Sequence, residues 1–516
     1  MRSAQSPSSR RQVSRTASVS SPVAGLNALD PISEMKDKDA VILDNFFCTP
    51  YDVMVRYGYT NQSTGITGTV NSLFSYSPVS GSLKLFAAAG ANIYDVTSVG
   101  PVGAASVTGL TSDKWQYINF GTAGGNFLLA VNGADKLRGY NGTAWWVDGD
   151  TTHDITGLDT ATVNNIYATK SRVWLIQKNT LKVWYLPVLS IAGAATAIDF
   201  SSLLNRGGYL VAMCAWTLDA GYGMDDYVAF VTSEGQVLIY KGTDPSSTTT
   251  WGLIGIYDIG SPIGKRCMTK YAGDVLVISQ DGLAPLSKAL MSSRVNSQEM
   301  LTYRVQHIIS DYVSQYGALS GWETTLFPKE NMLLLNVPIS SSASYQLVMN
   351  TISGAWSRFV GWNAACMKLH GDNLYFGANG VVCQAWNTQA DNGANINYEA
   401  LQSFNYFGSN DQLKMVKMVR PVISTDGSSS LLLGVNTDFD TSPPTGLPSF
   451  TPNVFGTWDS AIWDSAIWGG DLSTKRDWQT AFGIGYCVGA HMKGSLSNIK
   501  LRWASTDYLF ESGGVL

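Results

Sequence analysis

The strongest pattern in the sequence is a hairpin-like unit that recurs along most of the chain. Each unit has an apolar stretch, a short polar or glycine-containing turn, and a second apolar stretch that usually ends in an aromatic residue. The units are KLFAAAGANIYDV (84–96), FLLAVNGADKLRGY (127–140), RVWLIQKNTLKVWYL (172–186), DYVAFVTSEGQVLIY (226–240), DVLVISQDGLAPLS (274–287) and NLYFGANGVVCQAW (373–386), with a further candidate at 332–350. Their turns centre on Gly90, Gly133, Asn179, Gly235, Gly282 and Gly380.

The spacing of these turns indicates the fold class. Successive separations are 43, 46, 56, 47 and 98 residues, the last being about two repeats. A period of about 40–55 residues made of strands is typical of a β-propeller, in which each blade is a small antiparallel sheet. We therefore predict a mainly β protein with a propeller of six to eight blades over residues 25–395, whose first strands can also be assigned to the domain that follows. The apolar face between Ser297 and Gly317 predicts one inserted helix, which packs on the propeller or docks a partner.

Composition supports this prediction. Charged residues make up only 14% of the chain, below the roughly 25% of ordinary domains, and the 51 glycines suit many short strands joined by tight turns. After residue 395 the pattern changes to irregular strands rich in Gly, Pro and Asn, which predicts a separate β-rich C-terminal domain at 396–516. No apolar run approaches the about 20 residues of a membrane span, so we expect no membrane-spanning segment.

The first 24 residues differ from the rest of the chain. They carry four arginines and many serines but no acidic residue. A disordered tail or an organelle transit peptide has a similar composition. We predict an extended arm that clamps onto a neighbouring subunit or partner, with its arginines paired to acidic surfaces. These arginines are Arg2, Arg10, Arg11 and Arg15.

A second unusual segment is GTWDSAIWDSAIWGG at 456–470. Its tryptophans, Trp458, Trp463 and Trp468, are five residues apart, which fits neither the period of a strand nor that of a helix. We expect them to anchor the C-terminal domain against a neighbouring domain or subunit. The alternative is that all three lie in the core of their own subunit.

Candidate catalytic and metal-binding residues are few. The sequence has no nucleophile elbow, phosphate-binding loop or zinc-protease motif, and its four histidines are isolated from one another. Asn436, Asp438 and Asp440 have the first spacings of a calcium loop, but the glycine and the final glutamate are missing. Asp225, Asp226 and Glu323 are the carboxylates that a glycosidase would need. We expect no catalytic residue, metal or cofactor, and six buried free thiols.

The charge of the chain bears on nucleic acid. The formal net charge is −5, and without the four arginines of the arm 30 basic residues face 39 acidic ones, a net of −9. We do not expect a chain with this charge to bind the phosphates of nucleic acid, because that affinity depends on basic side chains. A conduit through which DNA slides would have walls of this kind.

Several stretches taken together resemble the tail nozzle proteins of short-tailed bacteriophages, also called packaged-DNA stabilisation or tail tubular proteins. They are GLNALDPISEMKDKDAVILDNFFCTPYDVMVRYGY (25–59), LFAAAGANIYDVTS (85–98), WQYINFGTAGGNFLLAVNGADKLRGYNG (115–142), GTDPSSTTTWGLIGIYDIGSPIG (242–264), YQLVMNTISGAWSRF (345–359), SFNYFG (403–408) and WDSAIWDSAIWGG (458–470). The first 24 residues have no counterpart in that family.

The resemblance implies a structural virion protein without catalytic residues, assembled in the host cytoplasm. It implies a homohexameric ring below the portal and its adaptor, which extends the DNA channel, retains the packaged genome and allows its ejection. Double-stranded DNA would pass through the lumen without specific binding, and tail fibres or spikes would dock on the outer surface. The alternative from the residues alone is a propeller that binds or cleaves glycans at the host surface.

Overall fold

The structure, a computed structural model, describes residues 14–219, 224–247, 249–291, 297–427, 430–445 and 472–513. The protein is mainly β, with 53% strand and 6% helix, and contains a β-propeller arrangement, as the repeat pattern predicted.

The strands follow one another closely along the chain. Those of the first half are β1 (Arg15–Ser20), β2 (Gly25–Leu26), β3 (Asp39–Asp44), β4 (Phe46–Cys48), β5 (Val53–Val55), β6 (Tyr59–Tyr76), β7 (Lys84–Ala89), β8 (Asn92–Asp95), β9 (Gly100–Pro101), β10 (Gln116–Thr122), β11 (Gly125–Val131), β12 (Arg138–Tyr140), β13 (Trp145–Val147), β14 (Ile155–Thr156), β15 (Val163–Thr169), β16 (Arg172–Gln177), β17 (Lys182–Tyr185), β18 (Gly193–Ala194), β19 (Thr196–Asp199), β20 (Leu210–Asp219), β21 (Met224–Thr232), β22 (Gln236–Gly242) and β23 (Trp251–Asp258).

The second half continues in the same way and includes two helices. Its strands are β24 (Met268–Tyr271), β25 (Asp274–Ser279), β26 (Gly282–Pro285), β27 (Glu323–Phe327), β28 (Met332–Pro338), β29 (Ser344–Asn350), β30 (Trp356–Val360), β31 (Cys366–His370), β32 (Asn373–Ala385), β33 (Ile396–Gln402), β34 (Lys414–Thr425), β35 (Ser430–Thr437), β36 (Ser473–Lys475), β37 (Gln479–Gly485), β38 (Val488–Leu496) and β39 (Leu501–Ser512). The helices of the described residues are α1 (Leu286–Met291) and α2 (Gln306–Tyr316), and α2 is the inserted helix that the apolar pattern predicted.

The chain divides into two compact units. One, the propeller unit, contains Gly58–Met349 and Val360–Thr388. The other, which we call the sandwich unit, contains the described residues up to Tyr57, Asn350–Phe359 and the described residues from Gln389 onward. Strands β1–β5 therefore belong to the sandwich unit.

In the propeller unit, five separate sheets of the described residues form the blades. Four of them are β10-β11-β12-β13, β15-β16-β17-β19, β20-β21-β22-β23 and β24-β25-β26. The fifth has the order β31-β32-β6-β7-β8, with β9 paired to β6. After β26, β27 pairs antiparallel with β28, and β28 is hydrogen-bonded to β29. The prediction of six to eight blades is therefore wrong, because the structure has a five-blade arrangement.

The long strand β6 accounts for part of this difference. Its first half pairs with β32 and its second half with β7, so the repeats predicted at 84–96 and 373–386 lie in a single sheet. The latter repeat is also not a hairpin. Gly380 has a positive φ of 76°, but it lies at an irregularity within the continuous strand β32, where the register shifts between Asn379 and Val381. A glycine in a strand often marks such a bulge rather than a turn.

Apolar clusters fill the spaces between neighbouring blades. Between the sheets that contain β16 and β22, Trp174 stacks on Trp251 with ring centroids 5.6 Å apart, and both side chains are buried. Comparable buried clusters link β11 with β16 and β22 with β25. These clusters are the apolar packing between blades that a radial arrangement of sheets requires.

The sandwich unit contains two sheets. In one, β34 pairs with β39 on one side and with β36 and β37 on the other, and β39 also pairs with β1 and β5. In the other, the order is β30-β2-β3-β33-β38-β35. Its core includes Phe46, whose ring lies 5.4 Å from that of Tyr398 and 6.2 Å from that of Trp503.

Candidate functional site

A polar cavity of about 470 Å³ lies in the propeller unit where the strands of its sheets meet. Residues of β6, β10, β15, β20, β24, β27 and β31 line it, so seven strands surround it. The five blades supply six of these strands, because the sheet that contains β6 and β31 contributes two, and β27 supplies the seventh. We call this space the central cavity.

A buried ion pair holds one wall of the central cavity. Arg266 precedes β24, and its Nη1 lies 3.0 Å from Oε2 of Glu323 on β27. Oε1 of the same carboxylate accepts a hydrogen bond from the backbone N–H of Met367. The Nη2 of Arg266 donates to the carbonyl of Asn71 (2.9 Å) and the hydroxyl of Ser72 (2.8 Å). One guanidinium therefore connects strands that are far apart in the sequence.

The surroundings of this pair change the pKa values of both groups. Burial raises the pKa of the Glu323 carboxyl, and the positive charge of Arg266 opposes that rise. Burial lowers the pKa of Arg266, but the nearby carboxylate of Glu323 outweighs this effect and leaves it raised. The hydrogen bonds to both carboxylate oxygens keep the buried pair satisfied, as such pairs require.

Three lysines add positive charge to the lining of the central cavity, of which Lys265 and Lys270 are exposed and Lys368 is half-buried. Lys368 on β31 lies with its Nζ 4.5 Å from the ring centre of Tyr117, and Lys270 on β24 lies 6.0 Å from that of Tyr167. Lys265 also lines the cavity. Burial, with the nearby charges of Lys178, Lys114 and Arg266, lowers the pKa of Lys265.

The central cavity is therefore strongly cationic. Its lining has four cationic side chains, Lys265, Arg266, Lys270 and Lys368, and one carboxylate, Glu323, a net of +3. Glu323 pairs with Arg266, and none of the three lysines makes an ion pair with a carboxylate of the described residues. This charge contrasts with the acidic balance of the chain as a whole.

A second notable surface lies on β37 in the sandwich unit. β37 pairs with β34 along one side, and no described strand pairs with its other side. Its buried face packs on β35: a Cβ at Gly485 would lie 2.6 Å from Cβ of Thr437, so only glycine allows this approach. Its other face carries Phe482, Ile484 and, just beyond the strand, Tyr486, with exposed fractions of 69%, 49% and 39%. We call these three residues the β37 apolar row.

The β37 apolar row lacks the usual protection of an edge strand. Folded proteins blunt such edges with charged residues or proline, because unpaired backbone groups invite another strand. The segment QTAFGIG of β37 contains neither. The two features together define a surface suited to contact with another polypeptide.

The predicted interface residues lie mostly outside the described residues. This is so for Arg2, Arg10 and Arg11 and for all three tryptophans, Trp458, Trp463 and Trp468. Arg15 is described: it is exposed at the start of β1, opposite Phe510 of β39. Residues 15–20 pair along their whole length with β39 of the same chain, so this part of the predicted arm is held by its own subunit.

Of the residues considered for glycan cleavage, Glu323 has its carboxylate engaged by Arg266 and Met367. The side chains of Asp225 and Asp226 lie outside the described part of the structure. Asn436 donates its amide to the carbonyls of Asp440 and Ser442, so its side chain closes a turn. The described residues contain no group of three or more His, Cys, Asp or Glu placed to hold a metal. All six cysteines are buried and free, as predicted.

Sequence reasoning missed both the central cavity and the β37 apolar row. Lys265 and Arg266 are adjacent, but Lys270 and Lys368 come from different strands, and only the closure of the propeller brings them together. The row had a visible signal, the alternation of large apolar residues with glycine or alanine in AFGIGY (481–486). Alternation of this kind predicts a strand with two different faces.

The protein thus combines a propeller that has a cationic central cavity with a sandwich unit that has an uncharged edge strand. The sequence matches no protein-family profile and no curated protein. Solved structures similar to this chain include "BBS1N in complex with ARL6DN", with 10% identity, a TM-score of 0.40 and coverage of 65% of this chain and 99% of that one. Others are "YCF48 bound to D1 peptide" (11%, 0.35, 67% and 98%) and "AfRom2 CNH domain" (12%, 0.30, 66% and 94%). At such TM-scores the propeller assignment rests on the sheets of this chain itself.

No helix among the described residues is both long and apolar enough to cross a membrane.

Proposed function

We propose that this protein is a structural, non-catalytic component of the tail nozzle of a short-tailed bacteriophage. In this proposal, copies of the chain form a closed ring, six-fold as the family resemblance implies. The ring extends the DNA channel below the portal and its adaptor, and its outer surface receives fibres or spikes.

The observation that carries the assembly part of the proposal is the β37 apolar row on an unprotected strand edge. A ring needs a heterologous interface, in which one surface of a subunit meets a different surface of the next. An uncharged edge strand with exposed large apolar side chains supplies one such surface, since burial of these side chains contributes about 25 cal/mol per Å². The ordered sequence stretches that resemble tail nozzle proteins support the placement in a phage tail.

The acidic balance of the chain supports the role of a DNA conduit. In a ring of six copies the net charge of −5 per chain adds up to −30, which as a whole repels phosphate and would let DNA slide without being held. The central cavity is a separate space within each propeller unit and is not the lumen of the proposed ring.

Negative-stain electron microscopy of the purified full chain tests the proposal. We expect rings with an open lumen. Compact single particles, together with cleavage of host-surface glycans by the same preparation, would favour the glycan-directed alternative and overturn the proposal.

A further inference from the structure

We propose that the central cavity of the propeller unit binds a small oxyanion of the oligophosphate class, such as a di- or triphosphate group. This goes beyond the proposed role in the tail nozzle, since that role requires no small-molecule ligand.

The charge of the central cavity is the first argument. Its net charge of +3 comes from Lys265, Lys270 and Lys368, while Arg266 is matched by Glu323. Three lysines without a carboxylate ion pair of their own around one cavity repel one another, although Lys265 and Lys270 are exposed and the charge of Lys368 also acts on Glu323. Burial, and after it the charges of Lys178, Lys114 and Arg266, lowers the pKa of Lys265. A bound polyanion would relieve the repulsion among the lysines.

An unused hydrogen-bond donor in the lining is the second argument. Oγ1 of Thr324 is buried and has no hydrogen-bond partner, and Thr324 lines the central cavity. Thr324 is 7% exposed. Buried polar atoms are nearly always paired, so an unpaired one is a reason to look for a missing partner. A hydroxyl donates to an oxyanion.

The tyrosines give the lysines defined positions. Lys368 lies over the ring of Tyr117, and the hydroxyl of Tyr117 accepts a hydrogen bond from the backbone N–H of Ser75 at 3.0 Å. Lys270 faces the ring of Tyr167, whose hydroxyl lies 3.4 Å from Sγ of Cys214. The ammonium groups are thus placed by packed aromatic rings, which lowers the entropy cost of binding.

The size and chemistry of the space select the ligand class. A volume of about 470 Å³ lies within the range of about 300–1,000 Å³ for small-molecule sites. The single carboxylate of the lining is occupied by Arg266, so the cavity offers donors and positive charge. This combination favours a compact anion with several negative oxygens. Both a nucleotide and an inorganic oligophosphate carry such a chain of phosphate oxygens.

Isothermal titration calorimetry of the full chain with inorganic tripolyphosphate tests the proposal. We expect one site per chain for the wild type. In the Lys265→Gln/Lys368→Gln variant, affinity should fall by at least about tenfold, because a hydrogen bond to a charged group contributes at least that factor. The control Lys182→Gln/Lys329→Gln removes the same charge from the same unit at lysines outside the cavity lining, and its affinity should equal that of the wild type.

Other outcomes are equally informative. Equal binding of tripolyphosphate by the wild type and the cavity variant, or no binding by the wild type, would overturn the proposal.

Titration with a nucleoside triphosphate distinguishes the two sources of the phosphate group. Tighter binding than tripolyphosphate supports a nucleotide, and equal or weaker binding supports a free oligophosphate. Binding of a single-stranded DNA oligonucleotide that is lost in the cavity variant, with no binding of tripolyphosphate, would overturn it in favour of a macromolecular ligand. The melting temperature of each variant, measured without ligand, shows that it is folded.

Discussion

Arg266 and Glu323 form a buried ion pair, with Nη1 and Oε2 3.0 Å apart, although they are 57 positions apart in the sequence. The two residues are also partners in an isolated parallel β-bridge. Further hydrogen bonds from Arg266 reach the carbonyls of Asn71 and Trp115. The pair therefore connects the residues just before β24 and the start of β27 with β6 and the residue that precedes β10, all around the central cavity.

Arg266→Met should strongly destabilise the propeller unit. The substitution leaves Glu323 buried without its partner, and breaking a buried pair in this way costs about 3–5 kcal/mol. Urea unfolding followed by tryptophan fluorescence measures the loss. The double variant Arg266→Met/Glu323→Leu should recover part of it, because no buried charge remains.

The control for this prediction is Arg206→Met. Arg206 pairs with Asp258 at 2.9 Å, but both side chains are more than 40% exposed. Exposed pairs contribute about 0–1 kcal/mol. If Arg266→Met and Arg206→Met shift the unfolding midpoint equally, the ion pair of the central cavity does not have the structural role given to it here.

The stability of the sandwich unit should fall as the pH drops below about 6.5. Burial lowers the pKa of His491, although Glu399, at 3.0 Å from Nε2, and the nearby backbone of Ser442 raise it, and Lys493 lowers it further. The folded state thus binds the proton more weakly than the unfolded state, whose histidine has a pKa of about 6.5. The stabilisation is complete above that pH and is lost as the pH falls through the lower folded pKa.

His491→Gln tests this pH dependence. Between pH 7.5 and 5.5, the melting temperature of the variant should change less than that of the wild type. The exposed residue His307 of α2 serves as the control, since His307→Gln should leave the change as in the wild type. Identical pH profiles for the wild type and His491→Gln would show that His491 does not cause the loss.

Gly25→Ala should destabilise the sandwich unit by about 1–3 kcal/mol, because it combines backbone strain with a steric clash. Gly25 has a φ of +85°, and a Cβ there would lie 2.5 Å from the carbonyl oxygen of Trp356. Gly354 has a comparable φ of +70° with nothing within 4 Å of such a Cβ. Thermal unfolding of both alanine variants separates the two effects: equal losses would mean that the contact with Trp356 adds nothing to the strain.

Phe482→Ser/Ile484→Ser should prevent assembly of the proposed ring while leaving the monomer folded. Both side chains are largely exposed, so their loss costs the isolated chain little, but the proposed interface would lose its apolar contact. The control is Ile352→Ser, at a residue 66% exposed that lies between β29 and β30 in the sequence. Analytical ultracentrifugation reports the assembly state. Rings formed by Phe482→Ser/Ile484→Ser as readily as by the wild type would exclude this surface from the interface.

Local features of the fold were predictable from the sequence, and long-range pairings were not. The turn at Gly90 lies between β7 and β8 as expected, because alternating apolar residues and a flexible turn residue act over a few positions. Gly380 has the same local signature but lies within β32, since the outcome depends on pairing with β6, about 300 residues earlier. The blade count was wrong partly for this reason.

The candidate site shows the same limit. Glu323 was considered only as a possible glycosidase carboxylate, because nothing near it in the sequence indicates Arg266 as its partner. The lysines of the central cavity are separated by up to 103 positions, from Lys265 to Lys368. The β37 apolar row was also missed, although the short alternating segment AFGIGY (481–486) could have indicated it.

The mass of the assembled full chain, measured by native mass spectrometry, tests the central claim most directly. One chain has a mass of 55.6 kDa, so a hexameric ring has six times that mass, about 334 kDa. The account predicts this species, and its conversion to the 55.6 kDa monomer in Phe482→Ser/Ile484→Ser. A wild-type protein that remains a monomer or dimer at every concentration would contradict it.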